Sequence, residues 1–170
     1  MIMDYVYYYQ SPLGGITMAS DGEALTGLWF DGQKNFAAGL ADAHEEKRLP
    51  VFEEALRWLD VYFSGRDPGF LPVLNPRGTA FQKAVWSVLA SIPYGSTTTY
   101  VLIAQQLKNK TNHPGILARA VGSAVSRNPI SLLIPCHRVI GSDGRLHGYA
   151  GGTDKKLWLL KMENDQFKIR

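Results

Sequence analysis

The amino-acid sequence predicts an α+β protein of two lobes, and three observations support this fold class. The first thirty residues contain short runs of aromatic and β-branched residues separated by turn formers, as in a small antiparallel sheet. Farther along, apolar residues recur at the spacing of amphipathic helices. Residues 64–78, with three prolines and three glycines, read as a linker between an acidic and a basic part of the chain. We therefore expect an N-terminal α/β lobe over residues 1–75 and a mostly helical C-terminal domain over residues 76–170.

The N-terminal lobe is predicted to contain three strands and one helix. The strands are expected at residues 5–9, 16–19 and 25–30. Residues 11–15 and 21–22 are rich in turn formers and connect the strands at hairpin spacing. Residues 31–50 are polar and show no clear period. A helix is then predicted over residues 51–63, from the apolar stripe Phe52, Leu56, Leu59 and Phe63.

The C-terminal domain is predicted to begin with a capped helix. Thr79, with a glutamine three residues later, forms a capping box before an apolar stripe that ends ahead of Pro93. Two short helices follow, over residues 99–107 and 114–125, the second with proline at its first position. Two short helices joined by a turn in a basic region predict a helix-turn-helix unit. A last helix, capped by Thr153, is expected near the C-terminus.

Charge is divided unevenly along the chain. Residues 1–79 hold 6 Lys and Arg against 11 Asp and Glu, whereas residues 80–170 hold 12 against 4. A basic half attracts polyanions, because each neutralised phosphate releases condensed counterions. One interpretation is therefore a nucleic-acid partner, and the alternative is attraction between an acidic and a basic lobe.

Composition excludes several classes of protein. With 45% hydrophobic and 19% charged residues, the chain fits a folded globular protein rather than a disordered one. We expect a cytoplasmic protein with no membrane partner, because no apolar run matches a membrane span or a secretory signal. A single cysteine excludes an intramolecular disulfide and any zinc site with several thiolates.

That single cysteine, Cys136, is a candidate nucleophile. A free thiol is only slightly ionised at neutral pH, so a nucleophilic cysteine needs a base, a cation or a helix N-terminus beside it. His137 and Arg138 follow it directly, and Pro135 restricts the backbone before it. The alternative is an unreactive core cysteine, because the preceding Leu-Leu-Ile run is typical of a buried strand.

Nine short motifs are distributed over the whole chain. The most specific is PCHRV at residues 135–139. The others are SPLG at 11–14, LDVYF at 59–63, FQKAVW at 81–86, IPYG at 92–95, RAVG at 119–122, NPI at 128–130, GYAGG at 148–152 and WLL at 158–160. In this order, the motifs resemble the O6-alkylguanine-DNA alkyltransferases, most closely the constitutive bacterial type.

The resemblance implies direct repair of alkylated DNA. The family cysteine, matched by Cys136, takes the alkyl group from guanine O6, or more weakly from thymine O4, and keeps it as a thioether, so each molecule acts once. The family histidine, matched by His137, deprotonates the thiol through a water, and a glutamate matched by Glu163 orients it. Tyr100 matches the tyrosine that donates a hydrogen bond to the base. Asn128 matches the asparagine that braces the turn before the active-site strand.

The resemblance also implies that the target nucleotide rotates out of the duplex. Arg119 matches the arginine that fills the resulting gap, on a helix that enters the minor groove. Ala118 and Ala120 would allow that helix to approach DNA closely. Guanine is expected to be recognised by the backbone of Cys136 and by Val125, Val139, Tyr149 and Ala150.

Two features depart from the family pattern. Residues 108–113 lengthen the segment between Tyr100 and Arg119, where a tight turn is expected. His147 stands where the family has a small or hydroxyl residue, and its imidazole is expected to narrow the alkyl pocket.

The expected partner is double-stranded DNA containing O6-alkylguanine, with no cofactor and no metal. We expect a monomer, and cooperative binding of several copies along DNA stays open. Two other functions also stay open: a DNA-binding module without enzymatic activity, and a cysteine hydrolase that uses Cys136 and His137.

Overall fold

The structure is a computed structural model that describes residues 3–111 and 115–169, and it confirms the α+β class. The chain divides into two compact units. The first unit ends at Arg77 and also includes Pro129–Leu133, and the second contains Gly78–Asn128 and the chain from Ile134 onward. The predicted lobes of residues 1–75 and 76–170 stay a proposal. Within the described residues, no helix is both long enough and apolar enough to cross a membrane.

The first unit contains a four-stranded sheet with the order β3-β2-β1-β4. The strands are β1 (Asp4–Ser11), β2 (Gly14–Ser20), β3 (Leu25–Phe30) and β4 (His44–Glu46). The first three are antiparallel, as predicted, whereas β4 pairs parallel to β1 and makes the sheet mixed. The sequence did not indicate β4, because its three residues are all exposed and show no alternation of apolar and polar side chains.

Helix α1 (Pro50–Phe63) follows the sheet and begins one residue before the predicted start. Its Phe52 is fully buried and stacks on Tyr7 of β1, with 6.0 Å between the ring centroids. The buried carboxylate of Asp4 receives hydrogen bonds from both terminal guanidinium nitrogens of Arg77, each at 2.8 Å. This ion pair attaches the end of the linker to the first strand.

The described part of the second unit contains four α-helices and a two-stranded parallel sheet. The helices are α2 (Ala80–Ala90), α3 (Tyr100–Thr111), α4 (Ala118–Ser126) and α5 (Thr153–Glu163). The strands are β5 (Thr98–Thr99) and β6 (Val139–Ile140). The indole of Trp86 on α2 donates to the carbonyl of Ala124 on α4 at 2.9 Å, which joins α2 to the second helix of the predicted helix-turn-helix.

Two of the predicted helix boundaries in this unit were wrong. Helix α3 continues to Thr111 rather than residue 107, so the added residues 108–111 extend the helix. The residue at the N-cap of α5 is Gly152, and Thr153 is its first helical residue. The N-cap residue has a φ of +101°, which residues other than glycine rarely adopt. Gly152 therefore takes the N-cap position, and Thr153 becomes the first residue of the helix.

The other boundaries differ in outcome. The capping box of α2 is confirmed. The hydroxyl of Thr79 accepts a hydrogen bond from the backbone N–H of Gln82, and the side-chain oxygen of Gln82 accepts one from the backbone N–H of Thr79. The predicted helix start at Pro114 lies outside the described residues, and α4 begins at Ala118.

Candidate active site around the single cysteine

Cys136 lies in the second unit, in one turn of 3₁₀ helix (Cys136–Arg138) that leads directly into β6. The residue is buried, with 6% of its surface exposed. Its backbone N–H donates to the carbonyl of Ile134 at 2.8 Å, and Nδ2 of Asn128 donates to the same oxygen at 2.7 Å. The side chain of Asn128 therefore holds the chain segment that immediately precedes the cysteine.

The surroundings of Cys136 keep its thiol protonated. Burial raises the pKa of the Cys136 thiol above its usual value of 9.0. A hydrogen bond from Asn128, the positive charge of Lys156 and the backbone N–H groups of the 3₁₀ turn act in the opposite direction without cancelling the effect. Because the thiol is neutral near pH 7, it needs a base at the moment of reaction.

His137, which directly follows Cys136 in the sequence, is a candidate for that base. It is fully buried, and its Nε2 lies 2.5 Å from Oε2 of Glu163. Since an ionised carboxylate only accepts hydrogen bonds, Nε2 carries the imidazole proton and Nδ1 is the basic nitrogen. Burial lowers the pKa of His137, and the charges of Arg138 and Lys156 lower it further, against the opposing effect of Glu163. The imidazole is therefore neutral and able to take a proton.

Glu163, at the end of α5, is surrounded by hydrogen-bond donors. Besides His137, it accepts from Arg138 through Nε at 2.7 Å and Nη2 at 3.2 Å, and from the backbone N–H of Gly95 at 3.1 Å. Burial alone would raise the pKa of Glu163, but the hydrogen bonds and positive charges of His137 and Arg138 lower it to about 2. Arg138 is held in turn by the carbonyl of Ile92 at 2.7 Å. The carboxylate is thus ionised and fixes the orientation of the imidazole.

The depressed pKa values of His137 and Glu163 predict that the protein loses stability as the pH falls. Below pH 6.5, the usual pKa of histidine, His137 becomes protonated in the unfolded chain but stays neutral in the folded protein. Stability falls wherever the unfolded state binds more protons, so one unit below this value the free energy of unfolding should drop by about 1 kcal/mol. Glu163 adds a loss of the same sign as the pH falls from its usual value of 4.5 toward about 2.

Urea unfolding of the wild type at about pH 7.5 and about pH 5.5 measures this loss. The exposed histidine variant His44→Gln should retain the full pH dependence, because His44 lies in the other unit at the surface. Equal stability at both values would contradict the account of His137.

Tyr100 begins α3 and borders a cavity of about 480 Å³. Its hydroxyl donates to the backbone carbonyl of His147 at 3.0 Å. Burial, and then the nearby Cys136, raise the pKa of Tyr100 to about 12, so the hydroxyl keeps its proton and remains a donor. The cavity is lined by Tyr100, Val101, Ala118, Arg119, Gly122, Gly141, Ser142, Asp143 and His147.

His147 forms part of the wall of this cavity. Nε2 of its imidazole lies 3.1 Å from Oδ1 of Asp143. The ring also packs against Gly141 so closely that a Cβ atom there would overlap it. The same cavity wall also contains Tyr100 and Arg119.

The other residues predicted to contact DNA or to receive the guanine do not line the cavity. Val125 and Val139 are buried, whereas Ala120 is exposed next to Arg119. Tyr149 and Ala150 are half-buried, and the ring of Tyr149 packs edge-on against His137, with 6.5 Å between the centroids. Of the residues that the sequence predicted, the cavity thus brings together Tyr100, Ala118, Arg119 and His147.

Two side chains of the site were not among the predicted residues. Arg138 was noted beside the cysteine, but its ion pair with Glu163 spans 25 positions and carries no local signal. Lys156 is 1% exposed and lies on the buried face of α5. Its spacing of three, four and seven residues to Leu159, Leu160 and Glu163 was a usable signal, since a lysine within an apolar stripe is unusual. Among the described residues, no group of three or more His, Cys, Asp and Glu side chains could hold a metal ion.

Comparison with known proteins places these features in a family. The DNA binding domain model of 6-O-methylguanine DNA methyltransferase matches residues 80–165, and the ribonuclease-like domain model of the same protein matches residues 5–71. A methylated-DNA–protein-cysteine methyltransferase of Methanosarcina barkeri is 46% identical over 165 residues, which cover 96% of this chain and 100% of that protein. The protein of the same name from Haemophilus influenzae is 41% identical over 160 residues, covering 94% and 86%.

Solved structures agree with the sequence comparison. The crystal structure of Mycobacterium tuberculosis OGT in complex with DNA superposes with a TM-score of 0.81 and 39% identity, covering 96% of this chain and 94% of that one. The similarity therefore extends over both units. The chain belongs to the methylated-DNA–protein-cysteine methyltransferase family.

Proposed function

We propose that this protein repairs DNA by transferring an alkyl group, above all methyl, from O6 of guanine in double-stranded DNA to Sγ of Cys136. Transfer from O4 of thymine is proposed as a weaker activity. The observation that carries the proposal is the buried imidazole of His137, which directly follows the single cysteine, is neutral because of its burial, and is oriented by Glu163. The names of the relatives, methylated-DNA–protein-cysteine methyltransferases, support the same reaction.

The proposed reaction is a direct displacement at the alkyl carbon. The S–C bond forms as the C–O bond to guanine breaks, and the thiol proton passes through a water to Nδ1 of His137. Glu163 stabilises the imidazolium that results, because it already binds Nε2 at 2.5 Å. The hydroxyl of Tyr100 donates a hydrogen bond to the departing guanine as negative charge develops on it, and the guanine anion then takes a proton from water. Water does not cleave the thioether product, so each molecule acts once.

The proposed DNA contacts lie on α4. A guanine within a duplex is out of reach of a buried thiol, so the nucleotide must rotate out of the stack, at a cost of a few kcal/mol. Arg119 is exposed at the border of the cavity and would fill the gap, while Ala118 and Ala120 let the helix approach the minor groove. The residues proposed to receive the guanine are Cys136, Val125, Val139, Tyr149 and Ala150. We also propose that the protein is a monomer and acts in the cytoplasm.

Stoichiometry tests this function. The protein is mixed with an excess of a duplex that contains one O6-methylguanine, and restored guanine is counted after digestion. We expect one restored base per protein molecule and no further turnover, with a duplex lacking the lesion as the control. Continued product formation would indicate a hydrolase, and no product at all would leave only a DNA-binding module.

Replacing Arg119 with alanine should impair repair of duplex DNA. Losing the side chain that fills the gap removes part of the free energy that offsets base rotation, so we expect at least about a tenfold lower rate on duplex DNA. A single-stranded substrate needs no such compensation and should be repaired at nearly the wild-type rate. Arg127→Ala removes an equal charge at the end of the same helix and serves as the control. Equal losses on both substrates would mean that Arg119 only contributes charge.

Methylation of the protein itself should lower its stability. Cys136 is buried, and an added methyl group overpacks its surroundings at a cost of about 1–3 kcal/mol. Thermal unfolding before and after stoichiometric reaction with methylated duplex measures this effect, with protein incubated with unmodified duplex as the control. An unchanged or higher melting temperature after methylation would show that the site has room for the product.

A further inference from the structure

A buried ammonium group lies next to the proposed site and has no part in the reaction described above. Nζ of Lys156 donates to the backbone carbonyls of His147 at 3.2 Å and Gly148 at 3.1 Å. The residue is 1% exposed. Lysines are almost never fully buried unless partners compensate for lost hydration, so these two bonds are what makes the position tolerable. Burial lowers the pKa of Lys156 to about 8, which leaves the group charged near pH 7.

The segment that Lys156 binds has little structure of its own. Residues 145–149 form no helix or strand, and Gly148 has a φ of +54°. The segment nevertheless carries Tyr149 and Ala150, which are proposed to receive the guanine. Lys156 on α5 donates two hydrogen bonds to this segment, and these bonds hold the segment in place against the helix.

The carbonyl of His147 accepts a second hydrogen bond, from the hydroxyl of Tyr100 at 3.0 Å. A carbonyl oxygen has two lone pairs, so both bonds can exist together. A phenol has a single hydrogen to donate, and in the proposed reaction Tyr100 donates it to the departing guanine. The hydroxyl must therefore leave the His147 carbonyl during the reaction, and Lys156 then holds that carbonyl alone.

The charge of Lys156 also reaches the nucleophile. Its positive charge is one of the influences that oppose the rise in the pKa of the Cys136 thiol.

We propose that Lys156 is a positioning residue for alkyl transfer, whose ammonium group anchors His147 and Gly148 while the Tyr100 hydroxyl moves from the His147 carbonyl to the base. This inference rests on the proposed function. Without Lys156, the hydroxyl of Tyr100 cannot both hold the loop and serve the guanine. The two side chains are therefore coupled through one carbonyl oxygen, and a double-mutant cycle measures such coupling.

The test uses the full chain and single-turnover rates at saturating methylated duplex. Misplacing a reacting group by about 1 Å costs about 100-fold, so we expect Lys156→Met to slow transfer by about 10–100-fold while DNA affinity is unchanged. The Tyr100→Phe variant lacks the hydroxyl, so no hydrogen bond has to move from the His147 carbonyl to the base. In that background Lys156→Met should slow transfer by a factor at least about threefold smaller than in the wild type. Lys161→Met removes an equal charge from the exposed face of α5 and should leave the rate unchanged.

The outcomes separate this inference from the proposed function. If the wild type transfers methyl but Lys156→Met has the wild-type rate, or slows both backgrounds equally, the positioning role is overturned. If the wild type transfers nothing, the proposed function fails before the cycle begins. Should Lys156→Met be unfolded at the assay temperature, Lys156→Gln is carried through the same cycle and judged by the same criterion.

Discussion

Replacing Cys136 with alanine should abolish alkyl transfer completely and leave binding to duplex DNA intact. The substitution removes the one thiol of the chain, and we expect no neighbouring group to replace it, because a neutral imidazole and an ion-paired carboxylate are much weaker nucleophiles toward carbon than a thiolate. The DNA contacts proposed on α4 do not depend on the sulfur. This variant should therefore lose its repair activity and keep its DNA affinity.

Restored guanine measures the first property, and fluorescence anisotropy with a labelled methylated duplex measures the second. The loss of one sulfur from a buried site costs about 1 kcal/mol, so the variant should remain folded. Unaltered DNA binding by the variant serves as the control for folding. Restored guanine in the absence of the thiol would show that another residue is the acceptor, and the assignment of Cys136 would be wrong.

Replacing Glu163 with glutamine should affect both stability and rate. The substitution leaves the guanidinium of Arg138, with 9% of its side chain exposed, beside a neutral amide, and removing one partner of a buried ion pair costs about 3–5 kcal/mol. An amide that donates to Nε2 would also move the imidazole proton to Nδ1, the nitrogen that must be basic. The wrong tautomer lowers the rate of such triads by about 10⁴-fold, and we expect a loss of 100-fold or more here.

Denaturant unfolding and single-turnover rates of Glu163→Gln test the two effects separately. Asp165→Asn changes an exposed carboxylate two residues later and should alter neither. A stable but slow variant would assign Glu163 to catalysis alone. A variant that is destabilised but transfers methyl at the wild-type rate would contradict the role of Glu163 in orienting His137.

Local signals allowed much of the fold to be predicted. The three hairpin strands and the capping box at Thr79 depend on residues close together in sequence, and these predictions are confirmed. Strand β4 was missed because it is short and exposed, and takes its place only by pairing with β1. The end of α3 was missed because the polar residues 108–111 are compatible with either a helix or a turn.

The site divides in the same way. Cys136 and His137 are adjacent in the sequence, so the sequence alone predicts that they belong to one site. The donors around Glu163 come from positions far apart, since Gly95 precedes it by 68 residues and Arg138 by 25, and only the folded chain brings them together. The burial of Lys156 is not predicted by the sequence, because a lysine in a helix is ordinarily a surface residue and its partners are two loop carbonyls that the sequence does not specify.

The most direct measurement is the position of the transferred carbon in the protein. After reaction with one equivalent of methylated duplex, the protein is digested and the peptide that contains Cys136 is sequenced by tandem mass spectrometry. The account predicts S-methylcysteine at Cys136 and no methyl group elsewhere. A methyl group on any other residue, or restored guanine with an unmodified Cys136, would contradict it.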